Sequence, residues 1–235
     1  MSTTPAFLLF MHIPKTAGTT LRTVVDTQYG REAVLTYYNQ PTSQMLDNLP
    51  YMLMAKPGAY RALIGHFRFG LHKTLGQPSR YVTLLRDPVR RAVSEYFERR
   101  KTTATRLEMT KSDGTVMSLD EALDRYPELY ANQQVKYVAG VPPGLAAHED
   151  HLEQARRNIT EHFIAGVTER FDESLAMLSR ALGWAPFSYE RKNVGDTEAS
   201  PSTASALARL AALNALDRQL YDFVAARLAR DASCP

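Results

Sequence analysis

The sequence contains little cysteine, no long apolar run and little net charge, and each of these absences excludes a class of protein. Its one cysteine among 235 residues is Cys234, so neither an intramolecular disulfide framework nor a cysteine-based metal cluster is expected. The apolar run at 6–11 is too short for a membrane helix and follows no basic residue, so we predict a buried strand rather than a membrane span or a signal peptide. Together these features favour a reducing, cytoplasmic location.

The net charge is only +3, which does not indicate nucleic acid as a partner, and we expect none. The charge is unevenly distributed, since the first hundred residues carry 13 basic and 6 acidic side chains and the rest carry an excess of four negative charges. This excess of cations indicates an anion-binding region in the first hundred residues, although an arginine-rich surface helix at 90–100 would explain it equally well.

Composition and periodicity indicate one α/β domain over residues 1–235. The chain is 44% hydrophobic and 23% charged, which is typical of a soluble globular protein large enough to bury a substantial core. Near-continuous apolar segments alternate with helical patterns, which predicts a central parallel sheet flanked by helices. The predicted strands are 6–13, 61–66, 80–86 and 162–168.

Asp87 and Pro88 mark the start of the clearest helix, because aspartate is a favoured N-cap residue and proline fits the first helical turn. Apolar residues then recur at helical spacing, so one face of this helix is expected to be buried. Its arginines are expected to form a solvated face. The apolar residues are Val89, Ala92, Val93, Tyr96 and Phe97, and the arginines are Arg90, Arg91, Arg99 and Arg100.

Other helices and loops follow from local signals. Ser118 and Glu121 fit a capping box, and the last helix has an apolar face that should dock on the rest of the domain. Segments rich in Gly, Pro, Ser or Thr predict loops. The remaining helices are predicted at 171–182 and at 204–229, with Leu213, Leu216, Leu220 and Phe223 on the buried face of the latter, and the loops at 101–117, 141–149 and 191–203.

A phosphate-binding loop is predicted at 12–20, between the first strand and a helical pattern that begins at Leu21. Backbone N–H groups at the start of such a helix are unpaired and aligned with its dipole, so they bind a phosphate or sulfate oxygen. Gly18 permits close approach of the backbone, and Lys15 supplies a positive charge. In nucleoside-triphosphate loops the lysine instead follows the glycines and precedes a magnesium-binding Ser or Thr. An ordinary strand-to-helix turn is the alternative.

The residues His-Ile-Pro-Lys-Thr-Ala-Gly-Thr-Thr at 12–20 resemble the 5′-phosphosulfate loop of sulfotransferases that use 3′-phosphoadenosine 5′-phosphosulfate (PAPS). The resemblance is to the branch of carbohydrate O-sulfotransferases similar to heparan sulfate 2-O-sulfotransferases. It implies the α/β architecture of that family, which is related to the nucleoside-triphosphate-loop fold. It also implies that the 5′-phosphosulfate is held by Lys15, Thr16, Ala17, Gly18, Thr19 and Thr20.

A second segment, the strand ending in Arg86-Asp87-Pro88 with Ser94 in the following helix, resembles the 3′-phosphate segment of the same family. Arg86 leaves the carboxyl end of a strand, where open α/β sheets bind ligands, and a guanidinium can hold a phosphate with two hydrogen bonds. The resemblance assigns the 3′-phosphate to Arg86 and Ser94. A weaker resemblance, to a late basic loop that closes over this phosphate, adds Arg191, Lys192 and Asn193.

Transfer to a hydroxyl requires a base, and His66 is the candidate. It follows the strand at 61–66, and the family's catalytic histidine commonly lies in a Gly-His segment at this place in the chain. A strand-end histidine bonded to backbone is the alternative. The segment at 132–140 resembles a helix near the family's acceptor pocket, which suggests Asn132 and Lys136 as substrate-binding residues. His12 is expected to pack or hydrogen-bond beneath the loop, His72, His148 and His151 have no motif around them, and we predict no metal.

These observations predict a PAPS-dependent O-sulfotransferase that releases adenosine 3′,5′-bisphosphate (PAP), with Lys15 and His66 as catalytic residues. The acceptor is expected to be a sugar, a lipid or a small metabolite, and the oligomeric state stays open. Two alternatives remain. A kinase or other phosphoryl transferase would require triphosphate binding and magnesium, and a non-catalytic nucleotide-binding regulatory protein would keep the loop without turnover.

Overall fold

Five parallel strands form one sheet in the order β2-β3-β1-β4-β5. The structure, a computed structural model, describes residues 6–38, 44–190 and 203–233. The sheet places β1 at the centre, because the chain first builds β2 and β3 on one side of it and then crosses to build β4 and β5 on the other. The strands are β1 (Phe7–Met11), β2 (Val34–Tyr37), β3 (Ala62–Gly65), β4 (Ser79–Leu85) and β5 (Phe163–Val167).

The central strands are covered on both faces. Every residue of β1 and β3 is buried, and successive side chains of a strand point to opposite faces. The predicted α/β fold with a parallel sheet flanked by helices is therefore confirmed. Of the described helices, α8, α9 and α11 pack on β5.

The described helices are α1 (Gly18–Tyr29), α2 (Gln44–Ala55), α3 (Pro88–Lys101), α4 (Thr103–Arg106), α5 (Leu119–Arg125), α6 (Pro127–Tyr130), α7 (Gln133–Ala139), α8 (Glu149–His162), α9 (Phe171–Leu182), α10 (Ala204–Leu213) and α11 (Ala215–Ser233). A second, smaller hydrophobic cluster joins the outer side of α3 to α5 and α10. Within the described ranges, none of these helices has the length and apolar character needed to cross a membrane.

The predicted caps are confirmed. Asp87 accepts a hydrogen bond from the backbone N–H of Arg90 at 2.9 Å, and Pro88 occupies the first turn of α3. Ser118 and Glu121 form the capping box of α5, with hydrogen bonds of 3.2 Å and 2.7 Å. The prediction of a solvated arginine face on α3 is wrong for Arg91, which is 1% exposed because it points towards α6.

Two further predictions need correction, and some elements were not predicted. The helix predicted at 204–229 is two helices that meet at Asn214. The buried face of the second helix consists of Leu216, Leu220, Val224 and Leu228. Leu213 and Phe223, which were predicted on that face, are only partly buried. The segment predicted as a loop at 101–117 contains α4 and the buried Met109. Strand β2 and helix α2 were not predicted. The loop at 191–203 lies almost wholly outside the described residues.

The register of the sheet aligns the ends of three strands at one edge. Met11 is paired with Gly65, which brings His12 and His66 to the same level. On the other side Phe10 is paired with Val82, so Arg86 is level with the loop that follows β1. The connections from β1 and β4 run in opposite directions along the sheet, and open α/β sheets bind ligands at such a switch point.

Candidate active site

The loop between β1 and α1 is tightly curled. Lys15 and Ala17 both have left-handed backbone conformations, with φ of 72° and 60°. Turns that contain such residues direct successive N–H groups into a concave surface that suits an anion. The hydroxyl of Thr16 is buried and donates to the carbonyl of Ile13 at 2.8 Å, so its hydrogen stabilises the loop itself. Thr19 and Thr20 lie in the first turn of α1.

Gly18 is required because the imidazole of His12 lies directly beneath it. A Cβ at Gly18 would come within 1.9 Å of His12 Nε2. Burial lowers the pKa of His12 to about 3, with smaller contributions in the same direction from His66 and Lys15, so this ring is neutral at physiological pH. A neutral ring beneath the loop leaves Lys15 as the mobile positive charge at this point.

Lys15 is paired with an acidic residue of α3. Its Nζ lies 3.2 Å from Oε2 of Glu98, and the two side chains are 25% and 55% exposed. An exposed pair of this kind contributes about 0–1 kcal/mol, so an anion in the loop can displace Glu98 at small cost. The sequence did not indicate Glu98, because it belongs to a helix 83 positions along the chain.

Arg86 joins the end of β4 to the loop. Its Nη1 donates to the carbonyl of Lys15 at 3.1 Å. Its backbone is held by the side-chain amide of Gln134, which accepts from Arg86 N and donates to Arg86 O, both at 2.8 Å. Gln134 is fully buried. Its amide makes the pair of hydrogen bonds with the Arg86 backbone that a neighbouring strand would otherwise make. The sequence does not indicate this role, although Gln134 lies in the 132–140 segment that resembles the family.

Asp87 links the same strand end to α11. In addition to capping α3, its carboxylate pairs with Arg218, and its backbone N–H donates to Glu169 at 3.0 Å. Burial lowers the pKa of Arg86, whereas the carboxylate of Glu169 raises it. The guanidinium remains charged, because arginine does not lose its proton in proteins. Arg86 is therefore a cation placed at the crevice between β1 and β4 by contacts from three separate segments.

His66 is oriented by the backbone of the loop. Its Nδ1 lies 2.7 Å from the carbonyl oxygen of His12, and since a carbonyl can only accept, Nδ1 must carry the hydrogen. In the neutral ring Nε2 is then the unprotonated nitrogen. Burial lowers the pKa of His66, while its bond to His12 and the carboxylate of Glu95 oppose that shift. The ring packs on His12 and Tyr38, with centroids 4.7 Å and 4.8 Å away.

One face of α3 runs past these groups. Glu95 and Glu98 are about one turn apart, as are Ser94 and Glu98, and Glu95 is held by Arg99 at 3.2 Å. Ser94 is partly buried in the middle of α3, and its predicted contact with the 3′-phosphate stays a prediction. The structure thus brings Lys15, His66 and Arg86 to the carboxyl edge of the sheet. Arg191, Lys192 and Asn193 lie outside the described residues.

Asn132 has a structural role that the sequence did not indicate. Its Oδ1 accepts from the backbone N–H groups of Leu216 and Asp217, both at 3.1 Å, and so caps α11. In return the buried carboxylate of Asp217 accepts from Gln134 and Val135 and caps α7. Asn132 adopts φ of 47°, a conformation that asparagine tolerates better than most residues. Its predicted contact with substrate stays a prediction.

Replacement of Asn132 by alanine separates these two roles. We expect Asn132→Ala to lower the free energy of unfolding by about 1–2 kcal/mol through loss of the α11 cap, measured by urea denaturation. Asn48→Ala, at an exposed position of α2, is the control and should change stability by less than about 0.5 kcal/mol. An unchanged unfolding midpoint with a raised KM for the acceptor would instead favour the substrate role.

Lys136 is buried, at 6% exposure, and among the described residues its Nζ donates only to the carbonyl of Glu128, at 3.4 Å. Its predicted role in substrate binding is compatible with this position but is not tested by it. Across 6–38, 44–190 and 203–233, no group of three or more His, Cys, Asp or Glu side chains is arranged to hold a metal ion.

Comparisons with known proteins relate the chain to sulfotransferases. The model of the galactose-3-O-sulfotransferase family matches residues 3–233. The chain is 26% identical over 196 residues to heparan sulfate 2-O-sulfotransferase 1 of Gallus gallus and 23% identical over 197 residues to that of Homo sapiens. Each alignment covers 74% of this chain and 54% of the relative, so the chain spans about half the length of these curated relatives.

A crystal structure of a mouse sulfotransferase complexed with PAP is also similar, with a TM-score of 0.47 and 13% sequence identity. The alignment covers 79% of this chain and 62% of the mouse chain.

Proposed function

This chain belongs to the galactose-3-O-sulfotransferase family, and from that premise we propose that it transfers a sulfuryl group from PAPS to a hydroxyl of a sugar and releases PAP. The observation that carries the proposal is the orientation of His66. Its Nδ1–H donates to the loop carbonyl of His12, so in the neutral ring Nε2 is the basic nitrogen that can accept a proton beside the predicted phosphosulfate loop.

In the proposed reaction the acceptor oxygen attacks sulfur while the bond between sulfur and the bridging phosphate oxygen breaks. The acceptor hydroxyl gives its proton to Nε2 of His66. Negative charge develops on the departing phosphate, and Lys15 and the N–H groups of the loop stabilise it. Arg86 and Ser94 hold the 3′-phosphate and so fix the cofactor for in-line transfer. The step needs no metal ion, because the charge is neutralised by these groups.

Calorimetric titration with PAP, adenosine 5′-monophosphate, and ATP with magnesium tests the proposal without knowledge of the acceptor. We expect PAP to bind more tightly than either of the other ligands. Preference for ATP with magnesium would instead support a phosphoryl transferase. PAP binding without turnover on a broad panel of sugars, lipids and small metabolites would support a regulatory protein.

A cytoplasmic location remains part of this proposal. Fractionation of the source cells measures it directly.

Arg86→Ala tests the assignment of the 3′-phosphate. We expect PAP affinity to fall about tenfold to a hundredfold through loss of charge-assisted hydrogen bonds, and affinity for adenosine 5′-monophosphate to fall less, because that ligand lacks the 3′-phosphate. Calorimetry measures both. Arg90→Ala removes the same charge from an exposed position of α3 and controls for net charge. Equal losses for both ligands would show that Arg86 serves only to brace the carbonyl of Lys15.

A further inference from the structure

A cavity of about 440 Å³ lies at the outer edge of the sheet, between β5 and the helices that pack on it. β5 is the last strand in the sheet order, so no described strand fills the space along its outer side. Phe163, Ile164 and Ala165 all line the cavity. Because successive side chains of a strand point to opposite faces, a cavity that contacts three consecutive residues must meet the edge of β5.

The inner wall of this cavity is apolar. It is completed by one buried side chain from each of three helices, which are Ile159 of α8, Met177 of α9 and Val224 of α11. Sites for small molecules typically have volumes of about 300–1,000 Å³ and are mostly apolar, with a few polar groups that fix the orientation of the ligand. The size and the wall of the cavity both fit this description.

The polar groups of the cavity are three arginines from separate elements, Arg80 of β4, Arg180 of α9 and Arg227 of α11. Within 6–38, 44–190 and 203–233, none of the three guanidinium groups forms an ion pair or a hydrogen bond. Arg227 only lies over the ring of Phe223, with Cζ 5.6 Å from the ring centroid. Asp231 is the one acidic side chain among the described lining residues, so three positive charges and one negative charge leave a net charge of +2.

Other arginines of the same region are neutralised by the chain itself. Arg170, at the start of α9, pairs with Glu173, and Arg218 of α11 pairs with Asp87. Like charges around one cavity repel each other unless an opposite charge lies between them. The cavity therefore combines an apolar wall with a positive charge that the described chain does not compensate, and an anion with an apolar body would match both.

The cavity is separate from the candidate active site. Arg80 is the second residue of β4, whereas Arg86 follows the last residue of the same strand. Each residue of a strand advances by about 3.3 Å, so the backbones of these two arginines lie about 20 Å apart. Phe163 likewise begins β5, which places the arginine-lined part of the cavity towards the amino ends of the strands.

We propose that this cavity is a second ligand site, which binds a small organic anion consisting of an apolar chain or ring that ends in a carboxylate or a sulfate. A guanidinium suits such an oxyanion because it offers two parallel N–H donors. Arg80, Arg180 and Arg227 hold the anionic group, and the wall between α8, α9 and α11 covers the apolar body. This site goes beyond the proposed sulfuryl transfer and does not depend on it.

The test compares three alkyl probes of equal chain length that differ only in their polar group. Octanoate carries a carboxylate, octyl sulfate carries a sulfate, and 1-octanol is neutral. Calorimetric titration gives the affinity and the stoichiometry of each probe. Each titration is made without PAP and with saturating PAP, because bound PAP keeps the sulfate probe out of the candidate active site.

Two pairs of variants separate the charge of the cavity from its shape. Arg180→Gln removes one of the cations, and Arg230→Gln, at an exposed position of α11 outside the lining, is its control. Ala181→Phe places a larger side chain at a lining position without changing the charge. Its control is Ala176→Phe, at an exposed position of the same helix. The melting temperature without probe checks that each variant folds.

We expect one anionic probe to bind per chain, about tenfold or more tightly than 1-octanol, with and without PAP. Arg180→Gln and Ala181→Phe should each weaken that binding by about fivefold or more, whereas the two controls keep it and all four variants keep their affinity for PAP. The better of the two anionic probes distinguishes a carboxylate ligand from a sulfated one.

Four results would overturn the site. They are equal affinity for all three probes, no anionic probe with a Kd below about 1 mM, binding that both Arg180→Gln and Ala181→Phe retain, and binding that PAP displaces. The last result would place the probe in the candidate active site. Because the titrations measure binding and not transfer, they decide this proposal even if the chain transfers no sulfuryl group.

Discussion

Replacement of His66 by alanine is expected to lower kcat for sulfuryl transfer by about 10²- to 10⁴-fold, the usual contribution of a positioned general base, while affinity for PAP is retained. The reason is geometric. His66 touches the phosphosulfate loop only through Nδ1 and the carbonyl of His12, and its Nε2 makes no hydrogen bond within the described residues. Removing the ring therefore removes the base without removing a predicted ligand of the cofactor.

His66→Asn is the sharper variant, because the asparagine amide can still donate to the carbonyl of His12 but has no basic nitrogen. We expect the same loss of kcat with less disturbance of the loop. His162→Ala is the matched control, since His162 precedes β5 at the opposite edge of the sheet. Loss of PAP affinity in His66→Asn, with kcat preserved, would contradict the assignment of His66 as base.

The pH profile of the wild-type enzyme independently tests His66 as the general base. Burial lowers the pKa of His66 from its ordinary value of 6.5, so the neutral, basic form persists to lower pH. The rate should rise with pH through an apparent pKa below 6.5 and be flat at neutral pH. A rate that rises with pH through an apparent pKa above 6.5 would assign the base to another group.

Much of the fold and the family could be predicted because their signals are local. The apolar strands, the cap at Asp87, the capping box at Ser118 and the loop at 12–20 each occupy a short continuous segment, and the structure confirms the strands and the caps. The family inferred from the loop and from Arg86-Asp87-Pro88 is likewise confirmed. The assignments of individual site residues stay predictions.

The elements that escaped prediction lack local signals or depend on distant partners. Strand β2 has only four residues, and α2 contains Pro50, which normally marks the end of a helix. The break between α10 and α11 at Asn214 is stabilised from α7, because Asn214 Oδ1 accepts from Asn132 N at 3.0 Å. Arg91 was expected at the surface, but it is buried and its guanidinium donates to the carbonyl of Tyr130 in α6, 39 positions along the chain.

The parts of the site that were not predicted also depend on distant partners. Glu98 and Gln134 contact the loop and Arg86 from positions far along the chain, and both have polar side chains that are common at helix surfaces. A single sequence does not show which helical residue faces a loop formed by another segment. The motifs thus predict candidate binding residues, whereas the residues that position those side chains required the structure.

Replacement of Lys15 by alanine is expected to reduce both catalysis and cofactor binding, and this combination distinguishes it from His66→Ala. Removing one preorganised group that stabilises developing negative charge costs about 10²- to 10³-fold in kcat, and loss of a charge-assisted contact should weaken PAP by about tenfold. Alanine already occupies a left-handed position at Ala17 in this loop, so Lys15→Ala does not introduce a conformation that the loop cannot hold. Steady-state kinetics and calorimetry measure the two effects.

The pairing of Lys15 with Glu98 makes this prediction more specific. Because Glu98 competes with an incoming anion for Nζ, Glu98→Gln should strengthen PAP binding by up to about fivefold, the equivalent of one exposed ion pair. In the Lys15→Ala background the same change should have no such effect, since the competition no longer exists. Weaker PAP binding in Glu98→Gln would mean that Glu98 positions Lys15 for the ligand instead of competing with it, and the double variant separates the two cases.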